Sequence, residues 1–468
     1  MIFSLFRKKS VTLTEEEVIE EEVADGPWVK PPITPPDLPK YEKPKPEITA
    51  EFYKVLDSIQ RGSDFVFVSG VAGTGKSTLI ELIKDKLKKK IIVVAPTGIA
   101  ALNIGGSTIH SVFRLPFGPC PIGNKIYGYG ALVLENLDVL IIDEISMVRP
   151  DILDAVSETL KIVRNNNKPF GGVQVAVFGD LFQLSPVSDE ESDQILRKKY
   201  LSNFFFDAEC LKNIEPEVFP LTKVFRQEDP IFLAVLQSIR VGKDLENAIK
   251  FINDSCFDPK GAEETALTLT TRTQQAEELN HLKLNELRKE KRTYHASMNG
   301  DYFKNKSDKQ LPAPVNLELK EGAQVLLVKN NKAHWVNGDL GTVISLEGDR
   351  IEVQLARGGN VVVPKETWGH YRYKFNEETQ EIEKETVAEY KQYPLRLGWA
   401  VTIHKSQGLT LDSCTVDVGP DGAFLHGQVY VALSRCKSIE ALRLKRKLSI
   451  FDIKLDETVL EFQKMFFD

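Results

Sequence analysis

The stretch Gly70-Val71-Ala72-Gly73-Thr74-Gly75-Lys76-Ser77 lies between an apolar run, residues 64–69, and a helix-like run, residues 78–90. This order of strand, glycine loop and helix is typical of a phosphate-binding loop. Its glycines let backbone N–H groups approach phosphate oxygens, the lysine adds a charge for the β- and γ-phosphates, and Ser77 offers a hydroxyl to Mg²⁺. We predict a nucleoside-triphosphate site at residues 70–77 together with Thr78. An ordinary glycine-rich turn is the alternative interpretation.

The length and composition indicate a globular protein built from several domains. At 468 residues the chain exceeds what one compact core usually holds, and its content of 42% hydrophobic and 27% charged residues is ordinary for a folded protein. No apolar run approaches the roughly 20 residues that span a bilayer, and residues 1–6 are too few for a signal-peptide core. We therefore predict an intracellular protein without a membrane partner, in the cytoplasm or nucleoid of a bacterium or in the nucleus or mitochondrion of a eukaryotic cell.

The cysteines and the net charge narrow the choice of partners only slightly. The five cysteines lie far apart with no C-x-x-C pair, so the sequence indicates neither a zinc cage nor a disulfide framework. The net charge of -7 argues at first against a polyanionic partner such as a nucleic acid. Because a narrow basic channel needs no basic average, the charge neither supports nor excludes DNA.

Residues 1–48 differ from the rest of the chain in composition. They hold an acidic block, residues 15–22, and eight of the 24 prolines. Such a segment buries too little apolar surface to fold, and we predict a disordered or polyproline arm. A solvated tail is the simpler interpretation of its charge, and binding to a basic protein partner or mimicry of nucleic acid is the alternative.

Four short apolar runs alternate with helix-like segments between residues 48 and 220. They cover residues 64–69, 90–95, 139–143 and 173–180 and are rich in valine and isoleucine. Strands of this kind suit a parallel sheet whose two faces are both covered by helices. Because open parallel sheets bind ligands at the carboxyl ends of their strands, we expect the candidate chemistry in the loops that follow these runs.

An acidic pair follows the third of these runs. Asp143 is suited to hold Mg²⁺ through water and Glu144 to polarise an attacking water, which predicts hydrolysis rather than binding alone. Gln183 follows the fourth run, where its amide could sense the γ-phosphate. A surface helix cap is the alternative interpretation of an acidic pair, and the phosphate-binding loop upstream argues against it.

The loop after the second run carries groups suited to a strand of DNA. It contains Thr97 and Gly98, and Thr108, His110 and Phe113 follow soon after. Together these residues offer hydroxyls, an imidazole and a stacking face. Taken alone, His110 and Phe113 are more often core residues, so packing is the alternative interpretation.

Residues 300–395 break the alternation of strands and helices. Short β-type runs are separated there by Asn-Gly, Glu-Gly-Asp and Gly-Gly turns, a pattern expected of a small barrel. Residues 368–375 interleave aromatic with basic side chains, so that Trp368 and Arg372 could stack on a base and contact a phosphate. An exposed barrel strand is an equally good interpretation of this run.

The order of these motifs resembles that of superfamily 1 helicases. The motifs are the phosphate-binding loop, Ala95-Pro-Thr-Gly98, Asp143-Glu-Ile-Ser146 and Gly179-Asp-Leu-Phe-Gln-Leu-Ser-Pro-Val187. The stretch Pro169-Phe-Gly-Gly-Val-Gln174 is similar to the signature of the Pif (petite integration frequency) family, 5′-to-3′ DNA helicases related to RecD and Dda. The likeness extends over residues 49–468, and its motifs are specific.

The resemblance continues in the second half of the chain and implies roles for further residues. Residues 221–227 look like the family's motif IV, residues 396–408 like motif V and residues 429–435 like motif VI. The resemblance implies that Arg226 and Arg435 reach the γ-phosphate across a cleft and couple its occupancy to domain closure. It also implies nucleotide contacts for Gln407 and Gly408 and DNA contacts for Thr271, Thr402, His404, Lys405 and Ser406.

One departure from the family pattern concerns the base of the nucleotide. The family places an adenine-reading glutamine upstream of the phosphate-binding loop, and alignment through Val55, Asp57 and Gly62 puts Phe52 at that position. The resemblance therefore leaves adenine selectivity in doubt.

From the resemblance we expect an α/β protein with two RecA-like P-loop motor domains. The first, residues 49–222, would carry a small wedge at about residues 103–121; the second, residues 223–299 and 396–468, would hold an inserted Src-homology-three-like β-barrel at residues 300–395. The expected activity is that of a monomeric 5′-to-3′ helicase that uses ATP and Mg²⁺ on single-stranded and forked or structured duplex DNA. An ATP-gated translocase that displaces bound proteins without separating strands is the alternative. Unwinding of a forked duplex distinguishes the two.

Overall fold

The computed structural model describes residues 47–116, 118–120, 126–186, 190–258, 266–304, 306–331 and 334–467. The predicted arm, residues 1–48, falls almost wholly outside these ranges, and so do residues 117 and 121 of the predicted wedge. Among the helices in these ranges, none is both long and apolar enough to cross a membrane.

Helices and strands alternate in the first half of the described chain, and strands dominate between residues 292 and 402. The helices are α1 (Ala50–Arg61), α2 (Lys76–Lys86), α3 (Gly98–Asn103), α4 (Ile109–Phe113), α5 (Tyr129–Glu135), α6 (Pro150–Arg164), α7 (Glu190–Leu196), α8 (Pro230–Val241), α9 (Leu245–Cys256), α10 (Thr273–Glu286), α11 (Gln428–Leu433) and α12 (Glu457–Phe467). The strands are β1 (Phe65–Gly70), β2 (Ile91–Ala95), β3 (Ser107–Thr108), β4 (Val139–Ile142), β5 (Gln174–Gly179), β6 (Glu217–Leu221), β7 (Leu267–Thr270), β8 (Arg292–His295), β9 (Ser297–Asn299), β10 (Asn316–Leu319), β11 (Gln324–Leu327), β12 (Leu340–Glu347), β13 (Arg350–Leu355), β14 (Asn360–Val363), β15 (Glu366–Asn376), β16 (Glu381–Gln392), β17 (Leu395–Leu397), β18 (Ala400–Thr402), β19 (Cys414–Asp417) and β20 (Leu442–Leu444).

The first sheet is parallel throughout, with the strand order β3-β2-β4-β5-β1-β6. Its strands are apolar on both faces: Phe65 and Phe67 of β1 pack in one core cluster, and Val66 and Val68 pack in another. Both faces are therefore buried, which explains why the predicted strands are continuous apolar runs. The four runs predicted from the sequence correspond to β1, β2, β4 and β5.

A second parallel sheet follows later in the chain, with the strand order β18-β7-β19-β20. Side chains of β7 and β19, such as Leu269 and Val416, join the same core cluster as one face of the first sheet. The prediction of an α/β protein with two parallel sheets is confirmed.

Antiparallel strands separate β7 from β18 in the sequence. Five of them form a sheet of order β14-β13-β12-β11-β17, β15 and β16 form a long hairpin with β9 beside it, and β8 pairs with β10. A β insertion is thus confirmed, and its boundaries at residues 300 and 395 stay a prediction. β8 and β9 begin before residue 300, and β17 extends past residue 395 as the partner of β11. These partners are distant in sequence, so local patterns do not reveal them.

The hairpin of β15 and β16 packs against the first sheet. Tyr373 Oη donates a hydrogen bond to the Val93 carbonyl oxygen at 3.3 Å, and Ser107 Oγ donates to the Tyr371 carbonyl oxygen at 3.3 Å. Lys90 Nζ lies 5.3 Å from the centroid of the Phe375 ring. Residues 368–375 therefore do not form an exposed barrel strand, because part of this run is covered by the first sheet.

Candidate nucleotide site and nucleic-acid interface

The phosphate-binding loop joins β1 to α2 at the carboxyl edge of the first sheet. β1 ends at Gly70 and α2 begins at Lys76, and Gly73 and Gly75 between them have φ angles of 86° and 84°. A Cβ at Gly73 would lie 2.6 Å from the Arg226 Cβ, so a larger residue would displace the neighbouring chain. The loop therefore has the tight, N–H-lined form that binds phosphate at a helix N-terminus.

Lys76 is held over the loop by backbone oxygens. Its Nζ donates to the carbonyl oxygens of Gly70 at 2.7 Å and Val71 at 3.1 Å. Burial lowers the pKa of Lys76, and the negative charges of Asp180 and Glu144 oppose that effect. The amino group thus lies among carboxylates at the carboxyl edge of the sheet, where a phosphate would be its natural partner.

The acidic pair lies directly after β4. Burial and the neighbouring charge of Glu144 raise the pKa of Asp143 to about 7. Burial also raises the pKa of Glu144, whose backbone has a left-handed φ of 51°. A left-handed non-glycine residue and two perturbed carboxyl groups in one cleft are typical of a functional site.

Gln407 reaches the acidic pair from the loop after β18. Its Nε2 donates to Glu144 Oε2 at 2.9 Å and to Gln183 Oε1 at 3.3 Å. Gly408 follows with a φ of 83° and is exposed. A residue of the second sheet is thereby bonded to two residues at the edge of the first.

The donors predicted for Mg²⁺ are Ser77 and Asp143. Ser77 is exposed in the first turn of α2, and Asp143 is a buried carboxyl group whose pKa is raised by burial and by the charge of Glu144. No group of three or more His, Cys, Asp or Glu side chains within the described ranges could hold a metal ion. One hydroxyl and one carboxylate suit Mg²⁺, which keeps several waters and binds substrate phosphates.

Arg226 and Arg435 lie near each other at the same cleft. Arg226 donates from Nε to Thr410 Oγ1 at 3.0 Å and from Nη1 to the Ser434 carbonyl oxygen at 3.1 Å. Arg435 is buried just after α11 and donates from Nε to the Val431 carbonyl oxygen at 2.8 Å. Burial and the positive charge of Arg435 lower the pKa of Arg226 to about 9. Two such cations with few anionic partners suit the charge of a triphosphate.

Phe52, at the position where the family has an adenine-reading glutamine, offers no polar group in the structure. Phe52 is buried beneath the loop, 3.0 Å from where a Cβ on Gly75 would lie, and it presents no polar atom. Phe225 was not predicted as a site residue, yet it is 39% exposed and its ring lies 3.5 Å from the same point. The sequence signal for Phe225 was its place immediately before Arg226.

Two more residues that were not predicted from the sequence, Arg240 and Tyr430, contact Asp180.

Comparison with known proteins identifies the family. The model of PIF1-like helicases matches residues 47–246. The human ATP-dependent DNA helicase PIF1 is 31% identical over 97% of this chain and 70% of the human protein. The chain belongs to the PIF1-like helicase family. The ATP-dependent DNA helicase Pif1 of Bdellovibrio bacteriovorus is 32% identical over 90% of this chain and 92% of that protein.

Solved structures of similar helicases match the fold. The crystal structure of Bacteroides sp Pif1 in complex with ADP-AlF4 superposes with a TM-score of 0.83 at 36% identity, over 90% of this chain and 97% of that one. The crystal structure of Bacteroides Pif1 bound to ssDNA superposes with a TM-score of 0.67 at 37% identity and the same coverage. Because identity and coverage are nearly equal, the difference reflects the arrangement of the elements rather than their content.

The predicted DNA contacts of the first sheet lie at helix starts in this PIF1-like helicase. Thr97 Oγ1 accepts from the Ala100 N–H at 3.2 Å and Thr108 Oγ1 accepts from the Ser111 N–H at 3.2 Å, so both threonines are N-caps. Gly98 begins α3, and His110 is half-buried in α4. Burial and the charges of Arg149 and Lys306 lower the pKa of His110.

Two aromatic residues predicted as DNA contacts are buried in this structure. Phe113 is 0% exposed and packs in the core, so it offers no stacking face. Trp368 is 5% exposed and packs against Tyr390, with 6.0 Å between ring centroids. An aromatic residue among polar neighbours suits the buried face of an amphipathic element as well as a DNA surface, and here burial prevails.

Three predicted hydroxyl contacts are also buried. Thr271 Oγ1 donates to the Val418 carbonyl oxygen at 3.4 Å, Ser406 Oγ donates to the Ile403 carbonyl oxygen at 2.8 Å, and Thr402 Oγ1 accepts from the Lys405 N–H at 3.3 Å. In this structure the three hydroxyls therefore bond within the loops of the second sheet, and their DNA contacts stay a prediction. His404 and Lys405 are half-buried and Arg372 is exposed, so a DNA contact through these three stays a prediction.

Proposed function

We propose that this PIF1-like helicase hydrolyses ATP in the cleft between its two parallel sheets, moves 5′ to 3′ along single-stranded DNA and unwinds forked or structured duplexes. The observation that carries the proposal is the bond from Gln407 to both Glu144 and Gln183, which joins the second sheet to the hydrolytic groups of the first. When both halves contribute to one site, their spacing depends on what occupies it. We take the two sheets as the cores of two motor domains.

The polar groups of the cleft divide the work of hydrolysis. Lys76 and the N–H groups of its loop hold the β- and γ-phosphates. Ser77 and Asp143 would hold Mg²⁺, which would supply positive charge to neutralise the charge that develops on the phosphates. Glu144 orients the attacking water and accepts its proton. Gln183 contacts the γ-phosphate.

The two arginines couple hydrolysis to movement. Arg226 and Arg435 share the γ-phosphate as an anionic partner, and each stabilises the charge of the transferred group. Once the γ-phosphate leaves, the second motor domain loses this contact with the nucleotide on the first, which favours opening. As the cleft opens and closes, the two motor domains grip the DNA in alternation, which moves the enzyme along the strand in steps.

We assign the DNA path to the residues that this structure leaves accessible. Thr97, Gly98, Thr108 and His110 serve the first motor domain, and His404 and Lys405 serve the second. Arg372 of the hairpin adds a phosphate contact. Such contacts to backbone phosphates position a strand without reading its sequence, as a translocating enzyme requires.

Unwinding of a tailed duplex tests the proposal. We expect ATP-dependent strand separation from a duplex with a 5′ single-stranded tail and none from a duplex with a 3′ tail. The alternative, a translocase that only displaces bound proteins, predicts DNA-stimulated hydrolysis and removal of streptavidin from a biotinylated strand without strand separation. Unwinding from the 3′ tail alone would overturn the assigned polarity.

Nucleotide selectivity is expected to be weak because Phe52 offers no hydrogen bond to the base. We predict that kcat/KM for ATP, dATP and GTP agree within about tenfold, the discrimination that one hydrogen bond provides. Phe225, the exposed ring at the loop, would stack on any purine, and Phe225→Leu should lower kcat/KM for all three to a similar extent. Steady-state hydrolysis with saturating single-stranded DNA measures this. A preference for ATP above about a hundredfold would mean that another residue reads adenine.

A further inference from the structure

Tyr430 connects the helix α11 with the phosphate-binding loop. The Ala72 N–H donates to Tyr430 Oη at 3.3 Å, and the hydroxyl in turn donates to Asp180 Oδ2 at 3.1 Å. The side chain is 4% exposed, so water hardly competes for these bonds. A single hydroxyl of the second half of the chain therefore contacts the loop after β1 and the loop after β5.

Asp180 anchors this hydroxyl through a buried ion pair. Its Oδ1 accepts from Arg240 Nε at 3.1 Å and from Arg240 Nη2 at 2.9 Å, and it also accepts from the Phe182 N–H at 3.2 Å. Arg240 belongs to α8, and its guanidinium lies 4.3 Å from the centroid of the Phe182 ring. The carboxylate is thus immobilised on one oxygen, which leaves Oδ2 as a fixed acceptor for Tyr430.

The same short helix determines where Arg435 lies. α11 ends at Leu433, and the next carbonyl oxygen, that of Ser434, accepts from Arg226 Nη1 at 3.1 Å. Before the helix, a Cβ on Gly427 would lie 2.4 Å from the carbonyl oxygens of Phe182 and Gln183, so the two backbones are in close contact. Any shift of α11 against the first sheet therefore displaces both arginines from the phosphate-binding loop.

We propose that Tyr430 is a positioning residue for ATP hydrolysis. Its hydroxyl sets the distance from the phosphate-binding loop to two arginines: Arg435, which follows α11, and Arg226, which bonds to the Ser434 carbonyl oxygen. The inference rests on the nucleotide site proposed above. Because Tyr430 bonds α11 to both loops, α11 moves with the phosphate-binding loop when the cleft closes. Arg435 is then correctly placed to contact the γ-phosphate. Displacement of a catalytic group by about 1 Å can cost about 10²-fold in rate.

The hydroxyl is suited to this task at every working pH. It must stay protonated in order to donate to Asp180 while it accepts from Ala72. Burial and the negative charge of Asp180 raise the pKa of Tyr430, so the phenol does not ionise near neutrality. The bond between the two halves is therefore present throughout the range in which the enzyme operates.

Tyr430→Phe tests the inference because it removes the hydroxyl and keeps the ring. We expect kcat for DNA-stimulated ATP hydrolysis to fall about tenfold or more, while KM for ATP changes less than about twofold. Tyr390→Phe is the matched control: Tyr390 is also buried and its hydroxyl donates to the Ala313 carbonyl oxygen at 2.8 Å, away from the cleft. It should leave kcat unchanged. Equal kcat in wild type and Tyr430→Phe would overturn the inference.

A double-mutant cycle separates positioning from simple packing. If Tyr430 acts through Arg435, Tyr430→Phe should cost much less in an Arg435→Lys background than in the wild type. Additive losses of kcat would show a structural role only and overturn the inference. The same conclusion would follow if kcat and the melting temperature fell together in both tyrosine variants. Lys76→Ala tests the nucleotide site independently of Tyr430. If Lys76→Ala still hydrolyses ATP, the nucleotide site is misassigned, whatever the result for Tyr430→Phe.

Discussion

Lys76→Ala is expected to reduce DNA-stimulated ATP hydrolysis by about 10³-fold or more and to abolish unwinding, while binding of single-stranded DNA persists. The lysine is the cation at the phosphate-binding loop, and its Nζ already lies 2.7 Å from the Gly70 carbonyl oxygen, at the mouth of the turn. Without it, the β- and γ-phosphates face the carboxylates of Asp143 and Glu144 with less compensation. Phosphate release with saturating DNA measures the loss, and fluorescence anisotropy of a labelled strand measures DNA binding.

Two variants make this result specific. Lys86→Ala removes a lysine from the last turn of the same helix, where the side chain is 63% exposed, and it should hydrolyse ATP like the wild type. Glu144→Gln should keep nucleotide binding and lose about 10²- to 10⁴-fold in turnover, because it removes the general base without removing a phosphate contact. Turnover close to that of the wild type in Lys76→Ala or Glu144→Gln would contradict the roles assigned here.

Arg226→Ala and Arg435→Ala are each expected to lower turnover by about 10³- to 10⁵-fold, the contribution typical of an arginine that stabilises phosphoryl transfer. The two guanidinium groups lie at one cleft, and the charge of Arg435 helps to lower the pKa of Arg226 to about 9. Loss of either cation leaves the transferred phosphoryl charge with one partner fewer. Single-turnover hydrolysis reports this loss independently of product release.

Arg435 is buried and bonded to backbone, so its removal can also disturb folding. Arg435→Lys keeps the charge and loses the planar fork, and it should lower turnover without changing the melting temperature appreciably. Arg61→Ala, at the exposed end of α1, is the control for removal of an arginine and should behave like the wild type. If turnover falls less than about tenfold in both alanine variants, the cleft has been misassigned.

Elements that depend only on neighbouring residues were predictable from the sequence. The phosphate-binding loop is specified by eight consecutive residues, since positive φ at Gly73 and Gly75 and a helix starting at Lys76 need no distant partner. The apolar runs of the first sheet predict strands buried on both faces, and the acidic pair follows from its place at the end of one of them. The fold class and the conformation of the phosphate-binding loop could therefore be predicted, and the hydrolytic roles of the acidic pair stay a prediction.

Contacts between distant side chains, and the burial of individual residues, could not be predicted from the sequence. Tyr430 bonds to Ala72 across 358 residues and Gln407 to Glu144 across 263, and no local pattern encodes such pairs. The strand of residues 366–376 reads as exposed until the first sheet covers it, and Trp368 and Phe113 read as DNA contacts until packing buries them. Alternation of apolar and polar residues defines a face, but the segments that cover the face are fixed only by the tertiary structure.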